Sequence, residues 1–325
     1  MTDLNSHKKP IENRLRVGVV GVGYLGKFHA QKYANMDDVD LVGVVDCDQK
    51  QAEAVAADLR TRAFYNHKDL LGQIDAVSIA APTPLHFDLS LDYLKNDVDV
   101  LIEKPITTTL KEADTLISMA EKKGLIIQVG HLERFNPAVV ALKEILTVPM
   151  FIESHRLSLF QPRGTDVSVV HDLMIHDIDI ILNLVKSDVV RLDAAGTAVV
   201  TPYVDIANAR LQFASGCVAN ITASRLALKN KRKIRIFQRD AYISVDFANK
   251  SIAEIRKGNG ESDGIIPGTA VKTYNFDPGD ALDDELKAFV LAVKKRRTPE
   301  VTGQMGRDAL KIALSIVDQI TTGSV

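Results

Sequence analysis

The segment GVGYLG at residues 21–26 constrains the fold of this chain more than any other stretch. It follows the apolar run LRVGVV at 15–20 and precedes a helix-like stretch, and a GxGxxG in that setting is typical of a dinucleotide-binding unit. Gly21 permits a tight turn, Gly23 lets the backbone approach a pyrophosphate at the helix N-terminus, and Gly26 permits close packing of helix on strand. The pattern predicts a nucleotide cofactor at this first strand–helix turn.

An acidic residue at the end of the second predicted strand indicates which cofactor binds. Asp46 lies twenty residues after Gly26, and its carboxylate suits the two ribose hydroxyls of NAD. It would repel the 2′-phosphate of NADP, and Asp48 would add to that repulsion. Lys50 is near enough in sequence to bind the 2′-phosphate, which keeps NADP as an alternative cofactor. We therefore expect NAD, with NADP as the less favoured alternative.

Strand-like and helix-like runs alternate through the first 130 residues. Apolar strands separated by helices predict a parallel sheet that is covered on both faces. The predicted strands lie at 15–20, 39–46, 75–81, 98–103 and 125–130.

After about residue 148 the strand-like runs become longer and follow one another closely, as antiparallel meanders do. Two helices are predicted near 281–297 and 304–322. The fold class is therefore α/β, with an N-terminal doubly wound Rossmann sheet and a C-terminal α/β domain whose sheet is mostly antiparallel. The predicted boundaries are a flexible tail over 1–13, a dinucleotide-binding domain over 14–130 and a second domain over 131–325.

Length and composition narrow the functional classes. A chain of 325 residues exceeds the size at which a single core usually keeps growing, which favours two domains. Its net charge of -2 gives no general attraction for nucleic acid or an anionic membrane surface. Cys47 and Cys217 fit a reducing compartment, without a disulfide framework or a cysteine zinc site. Because no apolar run has membrane length and the start has no signal-peptide core, we expect a cytoplasmic protein.

The motif IEKP at 102–105 stands at the C-terminal end of a predicted parallel strand. Ligands of open α/β sheets bind outside the carboxyl ends of the strands, so Glu103 and Lys104 are predicted to lie at the cofactor. A solvated Lys-Pro turn is the alternative on residue type alone.

Five motifs, in this order, resemble the glucose-fructose oxidoreductase, inositol dehydrogenase and rhizopine catabolism (Gfo/Idh/MocA) family. They are the GxGxxG followed by His29, APTPLH at 81–86, EKP at 103–105, GHLERFNP at 130–137 and DLMIH at 172–176. The resemblance implies a Rossmann domain followed by an α/β domain whose open, mostly antiparallel sheet carries the substrate cleft. It also implies a homodimer or homotetramer assembled through that C-terminal sheet.

The resemblance carries specific positions with it. The implied cofactor-binding residues are Gly21, Gly23, Tyr24, Leu25, Gly26, Asp46, Ala81, Thr83, His86, Glu103 and Lys104. The implied substrate-binding residues are His131, Arg134, Asn136, Arg163 and His176. For Asn136, followed by Pro137, a helix N-cap is an equally good interpretation.

The stretch VVHDLMIHDID at 169–179 permits three interpretations. A metal site would need His171, His176 and Asp179 to converge, but on an α-helix the two histidines point about 140° apart, so no metal is expected. A buried structural helix explains the apolar residues only. Asp172 and His176 are at i and i+4, where a carboxylate can orient an imidazole, and the Asp-x-x-x-His motif of the family falls on the same pair. We therefore predict an active-site role for both.

The activity implied by the resemblance is NAD-dependent oxidation of a secondary hydroxyl on a sugar. His176 is the expected general base, Asp172 would hold its tautomer, and Lys104 would stabilise negative charge on the carbinol oxygen. A buried lysine can also serve as base, so the roles of Lys104 and His176 are exchangeable at this level. The alternatives are an inositol, free-sugar or dihydrodiol dehydrogenase of the same family, or an NAD-binding regulator without turnover.

One departure from the family pattern bears on the substrate. Many relatives carry a glycine cluster before the Asp-x-x-x-His helix, whereas this chain has QPRGTDVSVV, with Arg163 and Gly164. An arginine there suits the phosphates of a nucleotide sugar better than a free polyol. GHLERFNP and FIESHRL also resemble family members that oxidise the 3-hydroxyl of UDP-N-acetylglucosamine.

Two surface features are also predicted. The basic run RLALKNKRKIRIFQR at 225–239 is interpreted as an edge strand with solvated charges, in preference to an extension of a phosphate site. The segment KGNGESDG at 257–264 is expected to be an exposed loop.

Overall fold

The computed structural model describes residues 14–162, 164–257, 268–277 and 279–323. The predicted tail at 1–13 and residues 258–264 of the predicted loop lie outside the described residues, as does Arg163.

Fourteen strands and eight α-helices are described. The strands are β1 Leu15–Val20, β2 Val39–Val45, β3 Arg62–Phe64, β4 Ala76–Ile79, β5 Asp99–Glu103, β6 Ile127–Gly130, β7 Pro149–Leu157, β8 Val189–Thr197, β9 Ile206–Phe213, β10 Val218–Ser224, β11 Lys231–Gln238, β12 Ala241–Asp246, β13 Ser251–Lys257 and β14 Thr269–Asn275. The helices are α1 Gly26–Asn35, α2 Gln49–Leu59, α3 His86–Lys95, α4 Leu110–Lys123, α5 Pro137–Ile145, α6 Ile175–Val185, α7 Ala281–Lys295 and α8 Gly303–Thr322.

The first sheet has six parallel strands in the order β3-β2-β1-β4-β5-β6. The strands β1, β4, β5 and β6 are almost entirely buried, as expected where helices cover both faces. All five strands predicted in this half are present, and the order reverses direction between β1 and β4, as in a doubly wound fold. The strand β3 was not predicted, because three residues are too few to show a periodicity.

Local sequence signals account for the ends of several helices. Thr109 and Glu112 form a capping box at the start of α4, and Gly124 ends that helix in the left-handed region, with φ at 65°. Asp48 caps α2 by accepting from the backbone N–H groups of Lys50 and Gln51. The carboxylate of Asp48 thus has a structural task that the sequence analysis did not assign to it.

The second sheet has eight strands in the order β14-β13-β12-β11-β7-β10-β9-β8. Every neighbouring pair is antiparallel except β7 and β10, which run parallel. The predicted α/β fold class, a parallel Rossmann sheet followed by a mostly antiparallel one, is therefore confirmed.

The interpretation of the basic run as an edge strand was wrong. The strand β11 pairs with β7 on one side and β12 on the other, so it lies inside the sheet. Lys231, Lys233 and Arg235 alternate with the buried Ile234 and Ile236. A central strand of an antiparallel sheet with one solvated face produces the same alternation as a charged edge strand, which explains the error.

The chain divides into two compact units. Unit 1 comprises the described residues up to Leu132 together with Leu282–Arg307, and unit 2 comprises Glu133–Ala281 and the described residues from Asp308 onward. The segment Leu282–Arg307 had been placed in the second domain. Helix α7 buries Leu286, Phe289 and Val290 in the same apolar cluster as β1 and α1, which explains why it belongs with the first sheet.

Among the described residues, no helix combines the length and the apolar composition that crossing a membrane requires.

A buried carboxylate in unit 2 organises the loop that precedes β9. Asp205 is 0% exposed and accepts hydrogen bonds from the backbone N–H groups of Val199, Val200 and Thr201, at 2.8, 2.7 and 3.0 Å, and from the Thr201 hydroxyl at 2.7 Å. Burial opposes ionisation, but these hydrogen bonds outweigh it and lower the pKa of Asp205 to about 2. The loop in turn supplies the Val204 carbonyl that accepts from Val169, just before α6.

Acid should therefore remove the contribution of the Asp205 carboxylate to the free energy of unfolding of unit 2. Because the folded pKa of Asp205 lies below that of a free aspartate, its contribution is present above about pH 4 and is lost as the pH falls through about 2. We expect Asp205→Asn to lower the free energy of unfolding by about 2 kcal/mol at pH 7 and by progressively less toward pH 2. Urea titrations across this pH range measure the difference.

Asp193→Asn is the matched control, because Asp193 is an exposed carboxylate paired with Arg191 on the surface. Its effect should stay within about 0.5 kcal/mol at either pH. An Asp205→Asn effect that is equally small, or that does not change with pH, would contradict the assignment.

Candidate active site

The glycines of the first turn have the geometry that a dinucleotide needs. At Gly21, with φ at 81°, a Cβ would lie 2.7 Å from the backbone N of Ala81, and at Gly26 a Cβ would lie 1.7 Å from the Gly21 carbonyl oxygen. At Gly23, which is exposed, a Cβ would meet nothing within 4 Å. Two glycines thus permit close packing, while the third leaves open space over the backbone beside the start of α1. These residues fit a bound pyrophosphate.

Asp46, directly after β2, turns its carboxylate toward this loop. One carboxylate oxygen accepts from the Val22 N–H at 2.9 Å, and the other accepts from the Asp48 N–H at 3.0 Å. Each oxygen keeps a second lone pair, so the carboxylate is fixed in place and still has acceptor capacity for ribose hydroxyls.

Two further predicted cofactor residues follow Gly23. Tyr24 is 64% exposed, and its ring meets that of Phe28 edge-on at 5.7 Å between centroids. Lys27 places its Nζ 5.9 Å from the Tyr24 ring. Leu25 is half-buried immediately before α1. Tyr24 is therefore an exposed aromatic surface at the mouth of the glycine loop, backed by a cation.

His86 holds two strand ends together. It is 1% exposed, and its ring nitrogens Nε2 and Nδ1 lie 2.8 Å from the Ala81 carbonyl oxygen and 2.9 Å from the Pro105 carbonyl oxygen. Burial lowers the pKa of His86 although both carbonyls raise it, so the ring is neutral at pH 7 and donates to one carbonyl at a time. Both nitrogens face backbone, which makes His86 a support for the loops that carry Thr83 and Lys104, and its contact with cofactor stays a prediction.

Glu103 and Lys104 stand where the sequence placed them, at the carboxyl end of β5. Lys104 is half-buried, and its backbone N–H donates to a Glu103 carboxylate oxygen at 3.3 Å. The other Glu103 oxygen lies 3.1 Å from Nε2 of the buried His29. The Glu103 carboxylate therefore faces other protein groups. The predicted cofactor residues Ala81 and Thr83 lie half-buried just after β4, the neighbouring strand.

The predicted substrate residues after β6 lie deeper than expected. His131 is 1% exposed and Arg134 is 4% exposed. The Nε of Arg134 lies 3.3 Å from a carboxylate oxygen of Asp179, which is also buried. The charge of Arg134, an implied substrate-binding residue, is thus paired within unit 2.

Asn136 takes the capping role. Its side-chain oxygen accepts from the Ala138 N–H at 3.1 Å, with Pro137 as the first residue of α5, and its amide donates to the Phe247 carbonyl at 3.3 Å. The side chain is occupied by these contacts, which favours the structural interpretation over substrate binding. Arg163 lies outside the described residues.

The stretch that carries Asp172 and His176 does not begin as a regular α-helix. Val170–Met174 form a π turn, in which the Ile175 N–H donates to the Val170 carbonyl five residues earlier. The estimate of about 140° between His171 and His176 assumed 3.6 residues per turn, so it does not hold across this segment. The same applies to the ideal stacking of Asp172 over His176. Single π turns of this kind are frequent at functional sites.

Exposure separates the side chains of this turn into two groups. His171, Asp172 and His176 are half-buried, whereas Val170, Met174 and Ile175 are fully buried in the core of unit 2. Among the described residues, no group of three or more His, Cys, Asp or Glu side chains is arranged to hold a metal ion.

The remaining acids of the stretch serve buried ion pairs. Arg156 on β7 donates to both oxygens of Asp177, at 2.8 to 3.2 Å, and to Glu133 at 3.0 Å. Burial opposes the charge on Arg156, but Asp177 and Glu133 outweigh it and raise its pKa. Together with the Arg134–Asp179 pair, these contacts fix α6 to β7 and to the segment after β6. Such pairs between distant residues leave no local signal in the sequence.

Gly164 was missed as a site residue, although it is described beside Asp172. It has φ at 74°, and a Cβ on it would lie 3.0 Å from a carboxylate oxygen of Asp172. The loop before α6 therefore passes directly over this carboxylate, and glycine is the residue that permits both the backbone conformation and the approach.

The comparisons with known proteins agree with this geometry. Residues 15–131 match the model of the oxidoreductase family with an NAD-binding Rossmann fold (GFO/IDH/MocA), and residues 153–244 match the GFO/IDH/MocA C-terminal domain. Among curated relatives, UDP-N-acetylglucosamine 3-dehydrogenase from Acidithiobacillus ferrooxidans is 41% identical over 303 residues, which cover 93% of this chain and 96% of that protein. The scyllo-inositol 2-dehydrogenase (NAD(+)) of Bacillus subtilis is 25% identical over 334 residues, which cover 96% of both.

A solved structure gives the same match in three dimensions. The UDP-N-acetylglucosamine 3-dehydrogenase of Acidithiobacillus ferrooxidans superimposes with a TM-score of 0.91 at 40% identity, covering 95% of this chain and 98% of that one.

The contact between Gly164 and Asp172 can be tested with a control for the strain of a left-handed alanine. Gly164→Ala places a methyl group against the Asp172 carboxylate, whereas Gly216→Ala creates a left-handed alanine, with φ at 86°, in open space. Each should lose about 1 kcal/mol of stability. If Asp172 acts in the chemistry as the sequence predicts, only Gly164→Ala should also lose turnover, by about tenfold or more, because displacement of a catalytic group by about 1 Å has effects of that size.

Steady-state kinetics and thermal unfolding of both variants measure the two effects. Equal turnover in the two proteins would show that the position of Asp172 is not critical.

Proposed function

The chain belongs to the Gfo/Idh/MocA oxidoreductase family, and from that premise we propose that it is an NAD-dependent dehydrogenase of the 3-hydroxyl of a UDP-N-acetylhexosamine, UDP-N-acetylglucosamine in the first place. The observation that carries the proposal is the 41% identity to the Acidithiobacillus enzyme over nearly the full length of both chains. The presence of Lys104, Asp172 and His176 supports turnover over a purely regulatory role.

When bound, NAD would supply the one function that no side chain can, an acceptor for the hydride of the carbinol carbon. The protein must hold this cofactor and manage the hydroxyl proton. We assign the first task to the glycine loop, Tyr24 and Asp46 of unit 1.

We assign the removal of the hydroxyl proton to residues of unit 2. In this proposal His176 accepts the hydroxyl proton as the hydride leaves, and Asp172 orients the imidazole and stabilises the imidazolium. Lys104 stabilises the negative charge that develops on the carbinol oxygen. The half-burial of all three side chains supports these roles, because partial exclusion of water strengthens each electrostatic interaction.

The substrate part of the proposal needs a cation for the diphosphate. With Arg134 paired inside unit 2, Arg163 remains the sequence-based candidate. A second candidate function, oxidation of a free polyol, is favoured by the match to scyllo-inositol 2-dehydrogenase, although at 25% identity.

A substrate panel tests the proposed function. NADH formation, followed by absorbance, should be robust with UDP-N-acetylglucosamine and weak or absent with myo-inositol, scyllo-inositol and glucose. An acceptor that reoxidises retained cofactor should be present, and the His176→Ala protein serves as the blank for contaminating activity. Robust turnover of a polyol with none on any UDP-sugar would replace the first candidate function with the second.

Removal of the general base should separate chemistry from binding. His176→Ala is expected to reduce turnover about a hundredfold or more, the size typical of lost proton transfer, while the NAD dissociation constant stays within about threefold. Lys104→Met should slow the same step. Single-turnover rates and calorimetric titration with NAD measure both quantities, and rates within a few fold of native for either variant would remove that residue from the chemistry.

We propose NAD in preference to NADP because the Asp46 carboxylate is held beside the glycine loop. Calorimetry should show that the native protein binds NAD more tightly than NADP. Asp46→Ala should reduce the difference between the two dissociation constants. Asp48→Asn is the control, because asparagine retains the N-cap of α2 while removing a charge. Tighter native binding of NADP would overturn the preference.

We also propose that the protein forms a homodimer or homotetramer through the second sheet. Phe151, Phe237 and Tyr242 lie side by side across β7, β11 and β12, with ring centroids 5.8 and 5.0 Å apart, and Phe237 is 37% exposed. A row of aromatic rings on a sheet face supports burial against another copy. Light scattering measures the mass, and a monomer at micromolar concentration would refute this assembly.

A cytoplasmic location completes the proposal. Cys47 is a free, exposed thiol, and Cys217 is free and buried. Thiols of this kind suit a reducing compartment, where proteomics of separated cell fractions would find the protein.

A further inference from the structure

A chain of buried polar side chains crosses unit 1 beneath the glycine loop. His29 and Tyr33, one turn apart on α1, and Ser78 on β4 are all 0% exposed. The Tyr33 hydroxyl lies 2.9 Å from the Ser78 hydroxyl oxygen, which lies 3.3 Å from Nδ1 of His29. Nε2 of His29 lies 3.1 Å from a carboxylate oxygen of Glu103. The four groups connect the first helix with the ends of two neighbouring strands.

The donors and acceptors of this chain are consistent with one direction. Burial raises the pKa of Tyr33, so its phenol keeps its proton and donates to Ser78. The Ser78 hydroxyl then donates to Nδ1 of His29, which leaves Nε2 as the protonated nitrogen facing Glu103. The chain of contacts thus ends at a carboxylate 3.1 Å from Nε2, which is within ion-pair distance.

The Glu103 carboxylate connects these buried groups to the backbone of Lys104. Its second oxygen accepts the Lys104 N–H at 3.3 Å. On the other side Gly130, at the end of β6, leaves the room that the carboxylate occupies, since a Cβ there would lie 2.8 Å from it. Glu103 is thus enclosed by α1, its own strand and β6, with His29 as the side chain that fixes its position.

We infer that His29 is a positioning residue for Lys104. Through the 3.1 Å contact of its Nε2 with Glu103, it fixes the carboxylate that accepts the Lys104 N–H, and so fixes the end of β5 from which the Lys104 side chain starts. Because His29 stands on the helix that begins at the glycine loop, one side chain links the cofactor-binding turn to the backbone of a residue proposed to stabilise the carbinol oxygen. None of the motifs assigned His29 this task.

The inference has a consequence that needs no substrate. If His29 holds Glu103, its loss should release the Lys104 amide from protection, while the amides of Leu101 and Ile102 inside β5 stay protected. Hydrogen exchange of the whole protein, resolved to the Lys104 amide by NMR or overlapping fragments, measures this. We expect exchange at Lys104 to rise about tenfold in His29→Leu.

Two variants control for packing. His29→Gln retains an amide donor near the position of Nε2 and should restore Lys104 protection to within about threefold of native. Tyr93→Phe removes an equally buried hydroxyl on α3, which donates to the His67 carbonyl outside this chain of contacts, and should leave Lys104 unchanged. If His29→Leu does not fold, Ser78→Ala removes the partner of both Nδ1 and the Tyr33 hydroxyl, keeps the imidazole itself, and should raise Lys104 exchange by a few fold. Exchange that rises equally at Leu101, Ile102 and Lys104 would reduce His29 to an ordinary core residue and overturn the inference.

The second readout rests on the proposed function. With whichever sugar the native protein oxidises, His29→Leu should lower kcat about tenfold or more with KM for the sugar within about threefold, and His29→Gln should recover most of kcat. A change confined to KM, or no recovery in His29→Gln, would count against positioning. If the native protein oxidises no sugar, the proposed function fails, while the exchange experiment still decides the role of His29.

Discussion

The contact between Gly26 and the Gly21 carbonyl fixes helix α1 against the end of β1, and the carboxyl edge of the first sheet depends on it. A Cβ at position 26 would lie only 1.7 Å from that oxygen, so any residue other than glycine would push the helix away from the turn. The displacement would also move His29 and Tyr33, whose hydroxyl and imidazole contacts reach β4 and β5. A close approach of two backbones thus determines where several buried polar groups can meet.

Elements whose signal is local could be predicted from the sequence. Five of the six parallel strands, the glycine turn and the carboxylate of Asp46 each follow from a pattern within about thirty residues, because a βαβ unit is a local structure. The order of the second sheet could not be predicted in the same way. β11 has the alternation of a half-solvated strand, and nothing in its own residues specifies that β7 and β12 flank it.

The residue types of the candidate site could be proposed from the sequence, but its geometry could not. Spacing singled out Asp172 and His176, yet the π turn depends on a backbone hydrogen bond over five residues that side-chain patterns do not encode. The partners of Asp177 and Asp179 come from β7 and from the segment after β6, 21 and 45 residues earlier in the chain. Burying such charges is costly unless they are paired, and removal of one partner typically costs about 3–5 kcal/mol. The acids of this stretch therefore divide into Asp177 and Asp179, which maintain the helix through ion pairs, and Asp172, which is proposed for the chemistry.

The π turn also determines how this enzyme can change by insertion and deletion. A π turn contains one residue more than the α-helical turn it replaces, so loss of any residue within Val170–Met174 would return the segment to α-helical hydrogen bonding. Each residue of an α-helix turns the chain by about 100°, so such a deletion would rotate His171 and Asp172 away from their present direction while α6 stayed anchored by Arg156. A change in the length of this turn would therefore move the side chains proposed for the chemistry relative to the anchored helix. In alignments of proteins with this architecture, the segment should be free of gaps.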